Sequence, residues 1–323
     1  MKQYFDNTRL GDYKKCPRYY YLRHVKNFRG QGVSLALSFG LSWHAAMDAL
    51  WLGFGKLPDK ELLEVSAYAF DKCWEEEGLP PPDKLTIENM EDFGMRNPMV
   101  AREMLFNYLD KRRPLMEDSE LLFAERPFAV PIYPDNPDIW YIGRMDKGIK
   151  HQGTNIVLKH KTTSEYKKDG GFKEFYVQGW YPNSQCEGYL FEANMQDPSK
   201  PFRYVWVDAA LVHKKEHHFF RFIPISATFA NLDNWLWEAR DWISRIRGEL
   251  ERLAAADADS EVMGAFPKNT ESCSGKYGLC GFLGICRGFA NPSKLSEPPA
   301  GYIVEKWEPF NILGLAALGM EAE

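Results

Sequence analysis

The chain has 323 residues, enough for one large domain or two ordinary ones with a substantial core. A composition of 45% hydrophobic, 15% aromatic and 26% charged residues marks it as globular and unusually rich in Trp, Tyr and Phe. Its net charge of -5 excludes a global basic field, so any polyanion must be met in a local groove.

No apolar run approaches the roughly 18 residues that span a bilayer. The opening MKQYFDNTRL lacks the apolar core of a secretion signal, so a cytoplasmic protein with no membrane attachment is expected. Thr8 to Tyr13 predicts a short helix, and Pro17 stands where a second, YYYLRHVKNF, can begin. From Leu35 to Phe54 apolar residues recur at helical spacing, with Gly40 and His44 one turn apart. Lys60 to Glu77 reads as a third helix, closed by Gly78 and Pro80-Pro81-Pro82, and Asn97 to Arg113 as a fourth. After Pro114 the texture changes to three strands, LLFAERPFAVPI, WYIGRMDKGIK and NIVLKHKTT. Phe175 to Glu192 returns to helix, RYVWVDAALVH and HHFFRFIPI form a hairpin around Lys214-Lys215, and Thr228 to Ala255 is a long amphipathic helix. The rest is a cysteine-rich loop and an extended tail. Strands bracketed by helices predict an α/β chain with a central mixed sheet flanked by helices. Residues 1–115 would form an N-terminal helical part, 116–260 the core, and 261–323 a cysteine-cluster region.

The chemistry concentrates around GRMDKG and IVLKHKTTS. Asp146 lies near the end of one strand, and the next strand brings Lys159 and Lys161 alongside it on a common face. An acid on one strand and an acid-x-Lys on the next can hold Mg²⁺ or Mn²⁺ against a phosphate, with the lysine acting on the water. Here the first position of that pair is a lysine. On the following helix Gln185 and Tyr189 are four apart and share a face.

In order, CPRYYYLRHV, Gly40-x-x-x-His44, GRMD, the strand ending in HKTTS, Gln185-x-x-x-Tyr189 and a late cysteine cluster resemble the RecB-like branch of the PD-(D/E)xK nucleases. That branch includes phage-encoded and CRISPR-associated exonucleases with an iron-sulfur cluster. The resemblance covers nearly the whole chain and implies a restriction-endonuclease-like core. It puts His44 and Asp146 at a Mg²⁺ or Mn²⁺ ion, makes Lys161 catalytic, and has Gln185 and Tyr189 contact DNA or steady the site. Lys159 then occupies the position of the second acidic ligand, and Glu125 on the preceding strand is a supporting acid. The implied substrate is DNA, at ends or as single strands, alongside recombination, repair or CRISPR-type protein partners.

The cysteines are separate evidence. Cys273, Cys280 and Cys286 are spaced C-x6-C-x5-C, and Cys16 lies far upstream. Structural zinc sites favour tight C-x2-4-C pairs, absent from this loop, whereas one remote and three clustered thiolates suit a [4Fe–4S] cluster. The spacing inside the triplet is longer than in close members of the branch, which keeps zinc open. Cys73 and Cys186 fall in helices and read as buried thiols; His213, His217 and His218 read as solvated residues at a hairpin turn. The mixture Lys14, Lys15, Arg18, Tyr19, Tyr20, Tyr21 and Arg23 suits phosphate holding and base stacking, but on a helix half of it must face the core.

An ammonium at residue 159 removes a hard ligand and repels the ion, so weak metal binding and little cleavage are expected. Three explanations stand: an inactivating substitution, a nuclease that recruits Glu125, Glu165 or Glu187 instead, or a protein that keeps the fold and cluster and binds nucleic acid without cutting it.

Overall fold

The computed structural model describes residues 2–86, 91–257, 259–275 and 278–318; the last stretch of the expected tail, residues 319–323, lies outside them. In chain order the elements are β1 (Gln3–Phe5), α1 (Asn7–Lys15), α2 (Pro17–Tyr20), β2 (Phe28–Gly30), α3 (Leu35–Gly53), α4 (Asp59–Glu76) and α5 (Pro98–Glu117). Then come β3 (Ser119–Tyr133), β4 (Asn136–His151), β5 (Thr154–Thr163), α6 (Glu174–Gln178), α7 (Ser184–Gln196), β6 (Phe202–Leu211), β7 (Phe220–Ser226) and α8 (Phe229–Ala254). Beyond α8 lie the short pair β8 (Ser274–Gly275) and β9 (Gly278–Leu279), then α9 (Leu283–Gly288) and β10 (Tyr302–Val304).

These elements form two compact units interleaved along the chain: Val33–Arg126 with Arg144–Leu232, and Met1–Gly32 with Pro127–Gly143 and Asp233–Glu323. In the first, the central unit, β5 pairs antiparallel with β4 and parallel with β6, and β7 closes antiparallel on β6. The sheet is therefore mixed, as expected, and helices supply its cover. Phe39, Trp43, Met47 and Leu50 recur along α3 and pack with Leu62, Phe70 and Trp74 of α4. Met104, Leu105 and Tyr108 of α5 join them over Ile149, Ile156 and Leu158 of the sheet. Glycine is required at 148, where an added Cβ would lie 2.2 Å from the Phe123 ring.

In the second, the terminal unit, β1 pairs parallel with β4 at Ile139–Tyr141, and β2 pairs antiparallel with β10. Tyr20 stacks on Phe266 at 6.1 Å, and Tyr141 packs edge-on to Trp235 at 5.1 Å. Arg18, Tyr20 and Tyr21 are buried, so the basic-aromatic segment turns much of itself inward; Lys15 lies over the Tyr19 ring.

Three element boundaries differ from the sequence reading. The helix opening at Pro17 lasts one turn, continues as a π-type turn over Tyr21–Val25, and yields to β2 after Asn27 adopts a left-handed φ of 57°. α5 runs through Pro114 to Glu117: a proline in the last turn deletes one backbone bond without halting the helix. The helix expected over Phe175–Glu192 is two, α6 and α7, with a cis Tyr181–Pro182 bond between them and Asn183 capping the second through the Cys186 N–H.

Candidate active site

The site grows from the pairing of β4 with β5. Their register joins Lys147 to Leu158, and one step beyond it Lys159 Nζ lies 3.9 Å from Asp146 Oδ1. The His160 backbone N–H donates to Asp146 Oδ2 at 3.0 Å, and His44 Nδ1 from α3 lies 3.3 Å from the same oxygen. Asp146 and Lys159 are buried, so this ion pair forms largely out of water. Glu125 of β3 completes a cluster: one ligand atom each from His44, Glu125 and Asp146 lie within 4.8 Å of one another.

Lys159 is held on its other side by α7. Its ammonium donates to Tyr189 Oη at 3.4 Å and sits 4.9 Å from the centre of the Tyr189 ring. That hydroxyl donates in turn to the Arg144 carbonyl at 2.9 Å and accepts from Gln185 Nε2 at 3.2 Å. Tyr189 is 5% exposed, so it is placed to fix Lys159 and β4, while half-buried Gln185 lies nearer the surface.

Charge coupling divides the two lysines. Burial opposes ionisation of Asp146, but Lys159, His44 and Lys147 outweigh it and hold the carboxyl well below the usual range. Burial likewise works against the Lys159 ammonium, and Asp146 with Tyr189 overcomes it, keeping this lysine above its ordinary value. Lys161 has the opposite fate: the Lys159 ammonium, then burial, push it down to about 8. Burial, only partly offset by Asp146, pushes His44 down to about 4, leaving a neutral imidazole at pH 7. Burial, then the charge of Asp48, lifts Glu125 to about 7 against the pull of Arg144.

A family model for the PD-(D/E)XK nuclease superfamily matches residues 7–287. The chain belongs to this superfamily. Its mixed sheet flanked by helices is the restriction-endonuclease-like fold of the PD-(D/E)XK nucleases, which typically use a divalent metal and act on nucleic acid. The chain is also similar to a solved structure of a candidate exonuclease from Eubacterium rectale, at 14% identity and a TM-score of 0.45, covering 76% of this chain and 80% of that one. Comparison with curated proteins gives no match. Among the described residues no helix is long and apolar enough to cross a membrane.

Within this PD-(D/E)XK chain the central unit gathers His44, Asp146, Lys159, Lys161, Gln185 and Tyr189, together with Glu125. Glu165 is occupied elsewhere, 3.1 Å from Lys173. The terminal unit brings Cys16, Cys273, Cys280 and Cys286 to one small pocket, with Tyr19, Phe282 and Leu283 as its apolar lining. Cys16 Sγ accepts from the Asn269 N–H at 3.3 Å. Arg18, whose Nε donates to the Phe266 carbonyl, keeps a buried Nη1 with no partner among the described residues while its charge acts on Cys286 and Cys16. Four thiols lining one pocket, two of them within electrostatic reach of a desolvated cation, form a donor set suited to an anionic metal–thiolate centre. Cys186 is fully buried on α7, where burial pushes its thiol up to about 12; burial likewise raises Cys73.

The hairpin histidines differ from expectation. His217 Nε2 lies 2.8 Å from Glu103 Oε2, and His218 Nδ1 meets Asn107 Nδ2 at 3.0 Å, so α5 engages both rather than leaving them solvated. Two further features escape a sequence reading. Lys147, wholly buried, pairs with Asp48 of α3, one turn after His44. Beneath the site, Asp208 accepts from Tyr108 Oη and Arg112 Nη2, each at 2.6 Å, and lies 3.7 Å from His160 Nδ1. Only the adjacency of Lys147 to Asp146, and the four-residue step from His44 to Asp48, could have marked the first pair; nothing local marks the second.

The depressed Lys161 carries a pH signature. In the native chain it should titrate near 8, and Lys159→Glu should return it toward the ordinary lysine range by removing the charge that depresses it. Isotope-labelled lysine NMR reads this directly; a Lys161 resonance still titrating near 8 after Lys159→Glu contradicts the coupling. Because the folded value lies below the unfolded one, the native state binds fewer protons between about 8 and the ordinary lysine range. This group's contribution to stability therefore rises with pH across that window.

Proposed function

We propose that the chain is a RecB-like, metal-dependent DNA exonuclease by construction, and that Lys159 suppresses its cleavage of DNA ends or single strands. The observation that carries this is the position of the Lys159 ammonium, 3.9 Å from Asp146 and out of solvent. His44 and Asp146 would hold Mg²⁺ or Mn²⁺; such an ion, when bound, polarises the scissile phosphate and lowers the pKa of the attacking water. Asp146 is already ionised and His44 already neutral, the forms in which each acts as a ligand. Lys161, half-buried and within electrostatic reach of Lys159 and Asp146, would orient the water or stabilise charge developing on the phosphate. Tyr189 fixes Lys159 and the Arg144 carbonyl, and Gln185 steadies the Tyr189 hydroxyl at the edge where DNA would approach.

Lys159 opposes the ion directly. Two unit charges ~4 Å apart interact by about 4 kcal/mol at an effective dielectric near 20, and a divalent ion doubles the effect. Cys16, Cys273, Cys280 and Cys286 are assigned to a [4Fe–4S] cluster that ties the N-terminal helices to the late loop, with Arg18 offsetting its negative charge. A second reading, a protein that binds nucleic acid without cutting it, is favoured by how well Lys159 is accommodated by the Tyr189 ring and hydroxyl. End-labelled single- and double-stranded DNA incubated with the Lys159→Glu form and Mg²⁺ or Mn²⁺ separates the two. Progressive shortening from an end is expected. DNA left intact by a variant that binds the metal would favour the non-cutting reading.

A further inference from the structure

With a lysine at 159, the site lacks an acid on β5, and three carboxylates are near enough in sequence to replace it. Glu165 is committed to Lys173, and Glu187 lies in the first turn of α7. Glu125 alone of the three places a carboxylate oxygen in the cluster with His44 and Asp146, every ligand atom within 4.8 Å of the others. Its backbone is the second observation. Glu125 has a φ of 49° in the middle of β3, a left-handed conformation that L residues seldom adopt and that costs of order 1 kcal/mol or more. An irregularity of this kind within a strand re-aims a side chain. Here the chain passes from Ala124 to Arg126 with the Glu125 carboxylate directed to His44 and Asp146, and Arg144 Nε donates to its Oε2 at 2.6 Å.

We propose that Glu125 is the second carboxylate of the metal site, entering from β3 in place of the acid missing from β5. This deepens, and rests on, the nuclease reading above. His44, Glu125 and Asp146 then form a mixed nitrogen–oxygen set, which suits Mn²⁺ better than Mg²⁺ because imidazole is a poor partner for the harder ion. Binding in the chain as it stands is weak for two reasons: the Lys159 ammonium repels the ion, and Arg144 competes for the Glu125 carboxylate. Backbone strain of this kind, seen here in the φ of Glu125, concentrates at functional sites.

The test uses the full chain and Mn²⁺ alone, with free ion followed by electron paramagnetic resonance. A His217→Ala background removes the separate Glu103–His217–His218 cluster, whose ligand atoms also lie within 4.8 Å. Weak one-site binding is expected, reduced at least tenfold by Glu125→Gln. Arg144→Ala, which frees Glu125 without altering a ligand, should tighten it several-fold; this opposite sign guards against a mere folding defect. Lys159→Glu should tighten it further. Equal Mn²⁺ affinity in Glu125→Gln and its parent, or no tightening in a folded Arg144→Ala, would overturn the assignment of Glu125. Failure of the nuclease reading looks different: Lys159→Glu would bind Mn²⁺, lose it on Glu125→Gln, and still leave DNA uncut.

Discussion

Asp146→Asn is expected to destabilise the central unit by about 3–5 kcal/mol at pH 7, the loss typical of breaking a buried ion pair from one side. The change is nearly isosteric, so packing hardly alters; what is lost is the counter-charge of an ammonium only 2% exposed. The Tyr189 hydroxyl and ring remain but carry no full charge. Lys159 must then shed its proton or draw in water, and its pKa falls from above the ordinary lysine value to below it. For a unit of this size the loss amounts to a fall in Tm on the order of 10 °C. A second change, Lys159→Met, should restore most of the stability, because the orphaned charge is gone. Thermal unfolding of the two single variants and the double variant measures the coupling. An Asp146→Asn chain as stable as its parent would mean that Lys159 leaves the pair for solvent.

Cys16→Ala is expected to have an effect as large, in the terminal unit. Anaerobically purified protein should be brown, with broad visible absorption from thiolate-to-iron charge transfer and about four iron atoms per chain, as a Cys₄ [4Fe–4S] centre requires. Removing the one ligand remote in sequence should bleach it. It should also loosen α1 and α2, since Cys16 stands at their junction and the other three thiols lie more than 250 residues later. Limited proteolysis near Lys14 and Lys15 would report the loosening. Colourless parent protein holding zinc would replace iron in this account while keeping the same four ligands.

Much of this site was legible because its residues obey short periodicities. Lys159 and Lys161 share a strand face, Gln185 and Tyr189 a helix face, and each pair needs only local geometry to come together. The main helices and strands were equally readable, since their apolar spacing survives in the core of α3, α4 and the sheet. What escaped depends on contacts that no local pattern encodes. Asp48 reaches Lys147, and Arg112 reaches Asp208, across 99 and 96 residues of chain. The left-handed Glu125 interrupts an otherwise ordinary strand sequence, so the local pattern points to plain strand there. The hairpin histidines looked solvated because the helix that meets them, α5, precedes them by about a hundred residues.

The central claim is that the Lys159 ammonium is the main barrier between this site and metal-dependent cleavage. Its most direct test is the single-turnover rate on end-labelled single-stranded DNA with Mn²⁺, for the chain as it stands, Lys159→Glu, and Lys159→Glu with Lys161→Ala. The first should stay near background. The second should be faster by about 100-fold or more, in keeping with recovery of a ligand whose charge the ion needs, and should fall to background with chelator. The third should lose most of that gain. Robust, chelator-sensitive cleavage by the unaltered chain, or none by Lys159→Glu with its metal bound, would contradict the claim.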